Sequence, residues 1–217
     1  MLRALVFDFD GLILDTERPI FESWRRIYQA EGHDIDVAKW ESIIGMDDVW
    51  DPADDLEVLV GRPLDRDAMA ETRRRHRNEL LAAEVILPGV TALLEAARSE
   101  GVATAVASSS PVSWVEEHLV RLGLVDAFAH VACRGPDLPA KPEPDVYLAA
   151  VAALGVEPAE AVALEDSAHG VRAAKTAGLL CVAVPHDLTR NSDFSGADLV
   201  VDSLAELSLD DLRRLTT

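Results

Sequence analysis

The most chemically suggestive residues of this chain are two aspartates near its start, Asp8 and Asp10, in the sequence DFDG. They follow a short apolar run, Ala4 to Phe7, that has the composition of a buried strand. Carboxylates at positions i and i+2 of an extended segment point in the same direction. Such a pair can bind a hard divalent cation, or one carboxylate can attack an electrophile while the other transfers a proton. An Asx turn with Gly11 is the alternative interpretation of the same residues.

Polar residues of complementary chemistry follow three further apolar runs. They are Ser108, Ser109 and Ser110 after the second run, Lys141 in the KPEPD segment after the third, and Glu165 and Asp166 after the fourth. Hydroxyl groups before a helix can bind an anion, a lysine can neutralise one, and a second acidic pair can supply metal ligands. Taken singly, each segment could be a helix cap or a solvated loop. Together the four segments indicate a site for a divalent metal and a phosphate.

These residues can converge only if the apolar runs form one sheet. The runs lie at 4–7, 102–107, 130–133, 161–164 and 180–184, with a weaker one at 199–201. Helical patterns bounded by prolines and glycines lie between them, at 90–99, 111–122, 144–154 and 168–177. Continuous rather than alternating apolar runs favour strands that are covered on both faces. The pattern predicts an α/β fold, a doubly wound parallel sheet of the Rossmann type with its site at the carboxyl ends of the strands.

The segment 15–85 interrupts this alternation because it contains helical patterns only. One helix is predicted from an N-cap at Thr16, a second from Asp51-Pro52, and a third from Asp65 to about Glu84. We therefore predict a core made of residues 1–14 and 86–217, and a helical insertion of residues 15–85 that folds over the carboxyl edge of the sheet.

Composition and charge exclude several classes of protein. The 217 residues include 20 basic and 39 acidic side chains, a net charge of −19, which disfavours nucleic acid and anionic membranes as partners. The run Arg73 to Arg77 is interpreted as a solvated helix face. Cys133 and Cys181 belong to no metal-binding pattern and are expected to be buried thiols. Neither a signal peptide nor a transmembrane run is recognised, so a cytoplasmic location is expected; the oligomeric state is left open.

Four segments resemble the ordered motifs of the haloacid dehalogenase (HAD) superfamily, in the branch that carries a helical cap after the first strand. The segments are DFDGLILDTE at 8–17, VASSS at 106–110, KPEPD at 141–145 and LEDSAHGV at 164–171. The resemblance covers essentially the whole chain and is closest to β-phosphoglucomutase and to sugar-phosphate phosphatases. It implies an α/β core with an inserted helical cap.

The resemblance also implies a role for each motif residue. Asp8 would be the nucleophile that forms an aspartyl-phosphate, and Asp10 the general acid and base. The phosphoryl group would be bound by Ser108, Ser109 and Lys141. Mg²⁺ would be held by Asp8, the backbone carbonyl of Asp10 and Asp166, with Glu165 binding it directly or through water. Apart from the resemblance, Glu17 is a candidate substrate contact in the cap, and Trp50 either stacks on a sugar or packs between the cap helices.

Two features bear on the reaction. Dehalogenases of this family lack the second aspartate of the first motif, so Asp10 favours phosphoryl transfer. Compared with β-phosphoglucomutase, a histidine, an arginine and a lysine are replaced here by Ile20, Asp48 and Pro111. We therefore predict a Mg²⁺-dependent phosphatase acting on a small phosphorylated metabolite such as a sugar phosphate. A hexose-phosphate mutase is the alternative.

Overall fold

A single six-stranded parallel sheet forms the centre of the molecule. The computed structural model describes residues 1–41, 44 and 50–216. The strands are β1 (Ala4–Phe7), β2 (Ala103–Pro111), β3 (His130–Arg134), β4 (Ala161–Glu165), β5 (Leu180–Ala183) and β6 (Leu199–Val200). Their order across the sheet is β3-β2-β1-β4-β5-β6, and every pair is parallel. The predicted parallel α/β fold is thus confirmed.

Nine α-helices are found in the described part of the chain. Four of them follow β1 in succession: α1 (Glu17–Ala30), α2 (Val37–Glu41), α3 (Pro52–Val60) and α4 (Arg66–Leu81). The others are α5 (Val90–Glu100), α6 (Val112–Leu122), α7 (Asp145–Leu154), α8 (Ala168–Thr176) and α9 (Leu209–Leu215). The short helices α2 and α9 were not predicted from the sequence.

The sheet is covered on both faces, which explains its continuous apolar strands. Successive side chains of a strand point to opposite faces. Leu5 and Phe7 of β1 accordingly belong to one buried cluster with α5, α6 and α9, whereas Ala4 and Val6 belong to a second cluster with α7 and α8. No position in β1 can therefore be polar without a buried partner.

The order of the strands determines where a ligand can bind. The chain passes from β1 to β2 and β3 on one side, then crosses to β4, β5 and β6 on the other. A crevice opens at the carboxyl ends of the strands where such a sheet reverses its direction of winding. Phe7 pairs with Leu164, and the backbone N–H of Asp8 donates to the Leu164 carbonyl at 2.9 Å. The residues that follow β1 and β4 are consequently neighbours.

Helices α1 to α4 have an apolar cluster of their own, which includes Phe21 and Leu56. The buried Tyr28 hydroxyl donates to the Pro52 carbonyl at 2.8 Å, so it connects α1 to α3. Helix α3 begins as predicted, because the Asp51 carboxylate accepts a hydrogen bond from the Ala53 N–H at 2.8 Å. That these helices form a unit bounded at residues 15 and 85 stays a prediction.

The end of α4 differs from the prediction. The helix stops at Leu81 instead of continuing to about Glu84. The next residues form a turn in which the Glu84 N–H donates to the Leu81 carbonyl, and Ile86 then pairs with Leu14. A pairing between residues so far apart in sequence leaves no local signal.

Two further expectations concern thiols and membranes. Cys133 and Cys181 are buried and free, as predicted, and burial raises the pKa of Cys133 to about 12. In the described ranges, none of the helices combines the length and the apolar character that crossing a membrane requires.

A glycine before α5 provides a test of the packing between α5 and the C-terminal region. A Cβ on Gly89, whose φ is +88°, would lie 2.2 Å from the backbone of Leu204 and Ala205. Gly101 at the other end of the helix has φ +70° but nothing within 4 Å. We expect Gly89→Ala to lower the free energy of unfolding by about 3 kcal/mol or more, and Gly101→Ala by about 1 kcal/mol. Urea denaturation measures both; equal losses would contradict the close approach.

Candidate active site

A cavity of about 360 Å³ lies at the carboxyl edge of the sheet. The sheet side of its wall contains the residues predicted from the motifs: Asp8, Asp10, Ser108, Ser109, Lys141 and Asp166. The opposite side comes from the helical segment and includes Glu17, Ile20 and Arg77. The cavity therefore lies between the sheet edge and helices α1 and α4.

The centre of the site is a buried ion cluster built around Lys141. The Nζ atom of Lys141 contacts Asp8 Oδ1 and lies 2.5 Å from Glu165 Oε1. All three side chains are buried, with the Lys141 residue 3% exposed. Burial alone lowers the pKa of Lys141, but the two carboxylates more than offset it and hold that pKa above its ordinary value. Lys141 is therefore a fixed positive charge beside Asp8.

Glu165 is fully buried, and every one of its hydrogen bonds is accepted from a fixed donor. Oε1 accepts from Lys141 and, at 2.5 Å, from the Tyr147 hydroxyl. Oε2 accepts from the Asp166 N–H at 3.2 Å and from the N–H and hydroxyl of Ser167 at 3.3 and 3.2 Å. A Cβ on Gly170 would lie 1.9 Å from the same carboxylate, so glycine is needed there. Glu165 thus holds Lys141 in place.

Asp10 lines the same cavity and is held by four donors. Its Oδ1 accepts from the Thr16 hydroxyl at 2.8 Å and from Trp114 Nε1 at 2.9 Å. Its Oδ2 accepts from the hydroxyls of Ser110 and Ser108 at 2.7 and 3.3 Å. Thr16 occupies the predicted N-cap position before α1, but its side chain makes no capping bond, and its hydroxyl donates to Asp10 instead.

Three buried carboxylates could hold a metal ion. Ligand oxygens of Asp8, Glu165 and Asp166 lie within 4.8 Å of one another. Burial, together with repulsion from neighbouring carboxylates, raises the pKa of both Asp8 and Asp166 well above the ordinary value, although Lys141 opposes this. A divalent cation relieves such repulsion, and carboxylate oxygens are the ligands that Mg²⁺ prefers. The donor set therefore fits a hard cation.

Of the remaining predicted residues, Ser109 and Glu17 line the cavity, whereas Trp50 is not among the described lining residues. The Ser109 hydroxyl accepts from the Lys141 backbone N–H at 3.1 Å, which brings the second and third motifs together. Glu17 lines the cavity. Trp50 agrees with the packing alternative: its ring lies beside that of Trp40, with centroids 6.0 Å apart, and it is not among the cavity-lining residues described. Asp48 lies outside the described residues.

Several residues of the site were missed from the sequence. His186 Nε2 lies 3.0 Å from Asp166 Oδ2. Trp114 donates a hydrogen bond to Asp10, and Tyr147 donates one to Glu165. None of them belongs to a motif. Arg77, assigned to a solvated face, instead lines the cavity with its guanidinium over the Trp114 ring, 5.0 Å from the centroid. The only signal for that contact in the sequence was an aromatic residue, Trp114, in the first turn of α6.

Known proteins resemble this chain over nearly its whole length. The haloacid dehalogenase-like hydrolase family matches residues 2–178. The chain is 39% identical over 209 residues to YhcW of Bacillus subtilis, named only provisionally as a phosphatase, covering 96% of this chain and 95% of that protein. It is 30% identical over 220 residues to Beta-phosphoglucomutase of the same organism, covering 96% and 93%. The crystal structure of CbbY from Rhodobacter sphaeroides in complex with phosphate superposes with a TM-score of 0.76 at 29% identity, covering 98% and 100%.

The electrostatics of the cavity predict a pH effect at Glu17. Burial, reinforced by repulsion from Asp10 and Asp166, raises the pKa of Glu17 to about 8 from an ordinary value of 4.5. Between these values the folded state binds more protons than the unfolded state, so Glu17 lowers stability as the pH rises from 5 to 8. We expect Glu17→Gln to gain stability relative to wild type across that range.

Urea denaturation in EDTA at several pH values measures this difference. Glu22→Gln, which changes a glutamate of the same helix that pairs with Arg25 and is not among the cavity-lining residues described, is the control and should keep the wild-type dependence on pH. A constant offset between Glu17→Gln and wild type would contradict the assignment.

Proposed function

Because the chain belongs to the haloacid dehalogenase-like hydrolase family, we propose that it is a Mg²⁺-dependent phosphatase that hydrolyses a small phosphorylated metabolite, such as a sugar phosphate, through an aspartyl-phosphate. The observation that carries this proposal is the buried contact between Lys141 and Asp8 beside Asp166. A carboxylate nucleophile beside a fixed ammonium group and a metal-binding acid suits a phosphate dianion as substrate.

Asp8 and Asp166 are proposed as the side-chain ligands of the metal, with the backbone carbonyl of Asp10. Glu165 accepts hydrogen bonds at both of its oxygens, which favours an indirect role through water and through Lys141. When bound, Mg²⁺ would supply positive charge to the phosphoryl oxygens. The remaining chemistry is assigned to side chains of this chain.

Asp8 is proposed to attack the phosphorus atom, so that a bond from its carboxylate oxygen forms while the bond to the leaving oxygen breaks. A dianion repels a carboxylate, and Lys141, in contact with Asp8, reduces this repulsion. Ser108 and Ser109 line the same wall and are proposed to donate to the phosphoryl oxygens. Phosphate monoester hydrolysis is very slow without catalysis, so this charge compensation must supply much of the acceleration.

Asp10 is proposed to give its proton to the leaving oxygen and then to take one from the water that attacks the phosphorus atom. The second step breaks the bond to Asp8 and releases inorganic phosphate. The donors of Thr16 and Trp114 fix the carboxylate of Asp10 at the cavity wall. Thr16 immediately precedes α1, so the helical segment contributes to the position of Asp10.

Two cavity residues favour hydrolysis over the mutase reaction. Ile20 and Pro111 both line the cavity, and neither side chain can form a hydrogen bond to a second phosphate. In the resemblance to β-phosphoglucomutase these positions hold a histidine and a lysine. Water is therefore the proposed acceptor of the phosphoryl group.

The nucleophile and the metal can be tested together. Asp8→Asn removes the attacking charge, so we expect the release of phosphate from an aryl phosphate to fall by at least about 1,000-fold. EDTA should abolish activity and excess Mg²⁺ should restore it. Asp126→Asn, an exposed aspartate just before β3, is the matched control and should keep wild-type activity. Activity that survives in Asp8→Asn would refute the mechanism.

The choice between phosphatase and mutase can be tested by product analysis. We expect a hexose 1-phosphate, supplied with Mg²⁺ and a hexose bisphosphate, to yield free phosphate and sugar, because Ile20 and Pro111 line the cavity where the resemblance to β-phosphoglucomutase has a histidine and a lysine. Phosphorus NMR follows both products. Accumulation of the hexose 6-phosphate isomer would favour the mutase instead.

A further inference from the structure

Arg77 is the cavity residue for which neither the motifs nor the proposed reaction has a use. It lies in α4, on the side of the cavity opposite the sheet edge, and it is half-buried. Its guanidinium stacks on Trp114, a residue of α6. Arg77 is therefore a cation that α4 brings into the cavity and that a core aromatic ring orients.

Among the described residues, Arg77 is attracted by the carboxylate of Glu117 but forms no ion pair with it. Over the described ranges of the chain no carboxylate forms an ion pair with it; Nε and Nη2 both donate to the amide oxygen of Asn78, at 3.2 and 3.1 Å. An arginine carries five N–H donors, so three are left for a ligand. Burial, together with repulsion from Arg74, lowers the pKa of Arg77 by more than the attraction of Glu117 raises it. An anion would relieve both costs.

The contacts of Trp114 show which part of a substrate Arg77 could reach. The indole Nε1 donates to Asp10, and the face of the same indole contacts Arg77. Asp10 is the residue proposed to protonate the leaving oxygen. The leaving group must therefore lie next to Asp10, and Arg77 lies one indole ring farther along the same cavity.

We propose that Arg77 binds a second anionic group, a carboxylate or a phosphate, on the leaving portion of the substrate, and so selects phosphomonoesters that carry a further negative charge. This rests on the proposed phosphatase function and narrows its substrate class. The planar guanidinium can bind either anion through two parallel hydrogen bonds. Stacking on Trp114 restricts its orientation, which lowers the entropic cost of binding.

The test compares pairs of substrates whose two members differ in the charge on the leaving group. The substrates are phenyl phosphate and 4-carboxyphenyl phosphate, and a hexose monophosphate and the corresponding bisphosphate. The first pair probes a carboxylate and the second a phosphate. Wild type, Arg77→Gln and Arg77→Lys are assayed with Mg²⁺. Arg74→Gln is the control, because Arg74 lies one helical turn away, is exposed, and is already paired with Glu71 at 2.6 Å.

We expect Arg77→Gln to lower kcat/KM by roughly 10- to 100-fold for at least one substrate whose leaving group is anionic. For the matched substrate with a neutral leaving group, kcat/KM should fall by less than about threefold. Arg77→Lys should retain part of the preference, and Arg74→Gln all of it. Unchanged turnover of the neutral substrate shows that the variant is folded.

Equal losses on neutral and anionic substrates, or the same loss in Arg74→Gln, would overturn the role of Arg77 while leaving the phosphatase function intact. The role of Arg77 would also be overturned if wild type had a higher kcat/KM for both substrates with a neutral leaving group than for their anionic counterparts. Absence of Mg²⁺-dependent phosphate release from every substrate would instead refute the proposed function, and the inference with it.

Discussion

The structure depends above all on the burial of one lysine between two carboxylates. Lys141 is held by Asp8 at the end of β1 and by Glu165 at the end of β4, both inside the protein. Removing one partner from such a cluster leaves an uncompensated buried charge, at a cost of about 3–5 kcal/mol. The loop that carries Lys141 must therefore return to the junction of β1 and β4. Tyr147 and Gly170 supply the donor and the space that the arrangement requires.

Much of this arrangement could be predicted from the sequence because its signals are local. Continuous apolar runs identify strands buried on both faces, and prolines and glycines mark the ends of the helices between them. Asp8, Lys141 and Asp166 stand directly after strands or in the loops that follow, so a correct sheet brings them together. The cavity wall that contains them follows from topology alone.

The remainder depends on contacts between residues far apart in the chain. The indole of Trp114 donates to Asp10 across 104 residues, and no pattern around either position reveals it. Thr16 stands at the N-cap position of α1, yet its hydroxyl donates to a carboxylate six residues earlier and accepts no bond from the helix. Arg77 likewise belongs to a basic run, residues 73–77, whose composition predicts a solvated helix face. Its guanidinium is instead stacked on the ring of Trp114. Local rules fail here because tertiary partners compete with backbone groups.

The division of the cavity between a sheet edge and a helix has an evolutionary consequence. The groups proposed to act on the phosphoryl moiety lie at strand ends, where any substitution disturbs buried charges. Arg77 lies on α4, which packs chiefly against α1, and its side chain can change without disturbing Lys141. Mutations in α4 can therefore accumulate at less risk to the buried charges than mutations at the strand ends. Such a layout lets duplicated genes acquire new leaving-group preferences while they inherit one reaction unchanged.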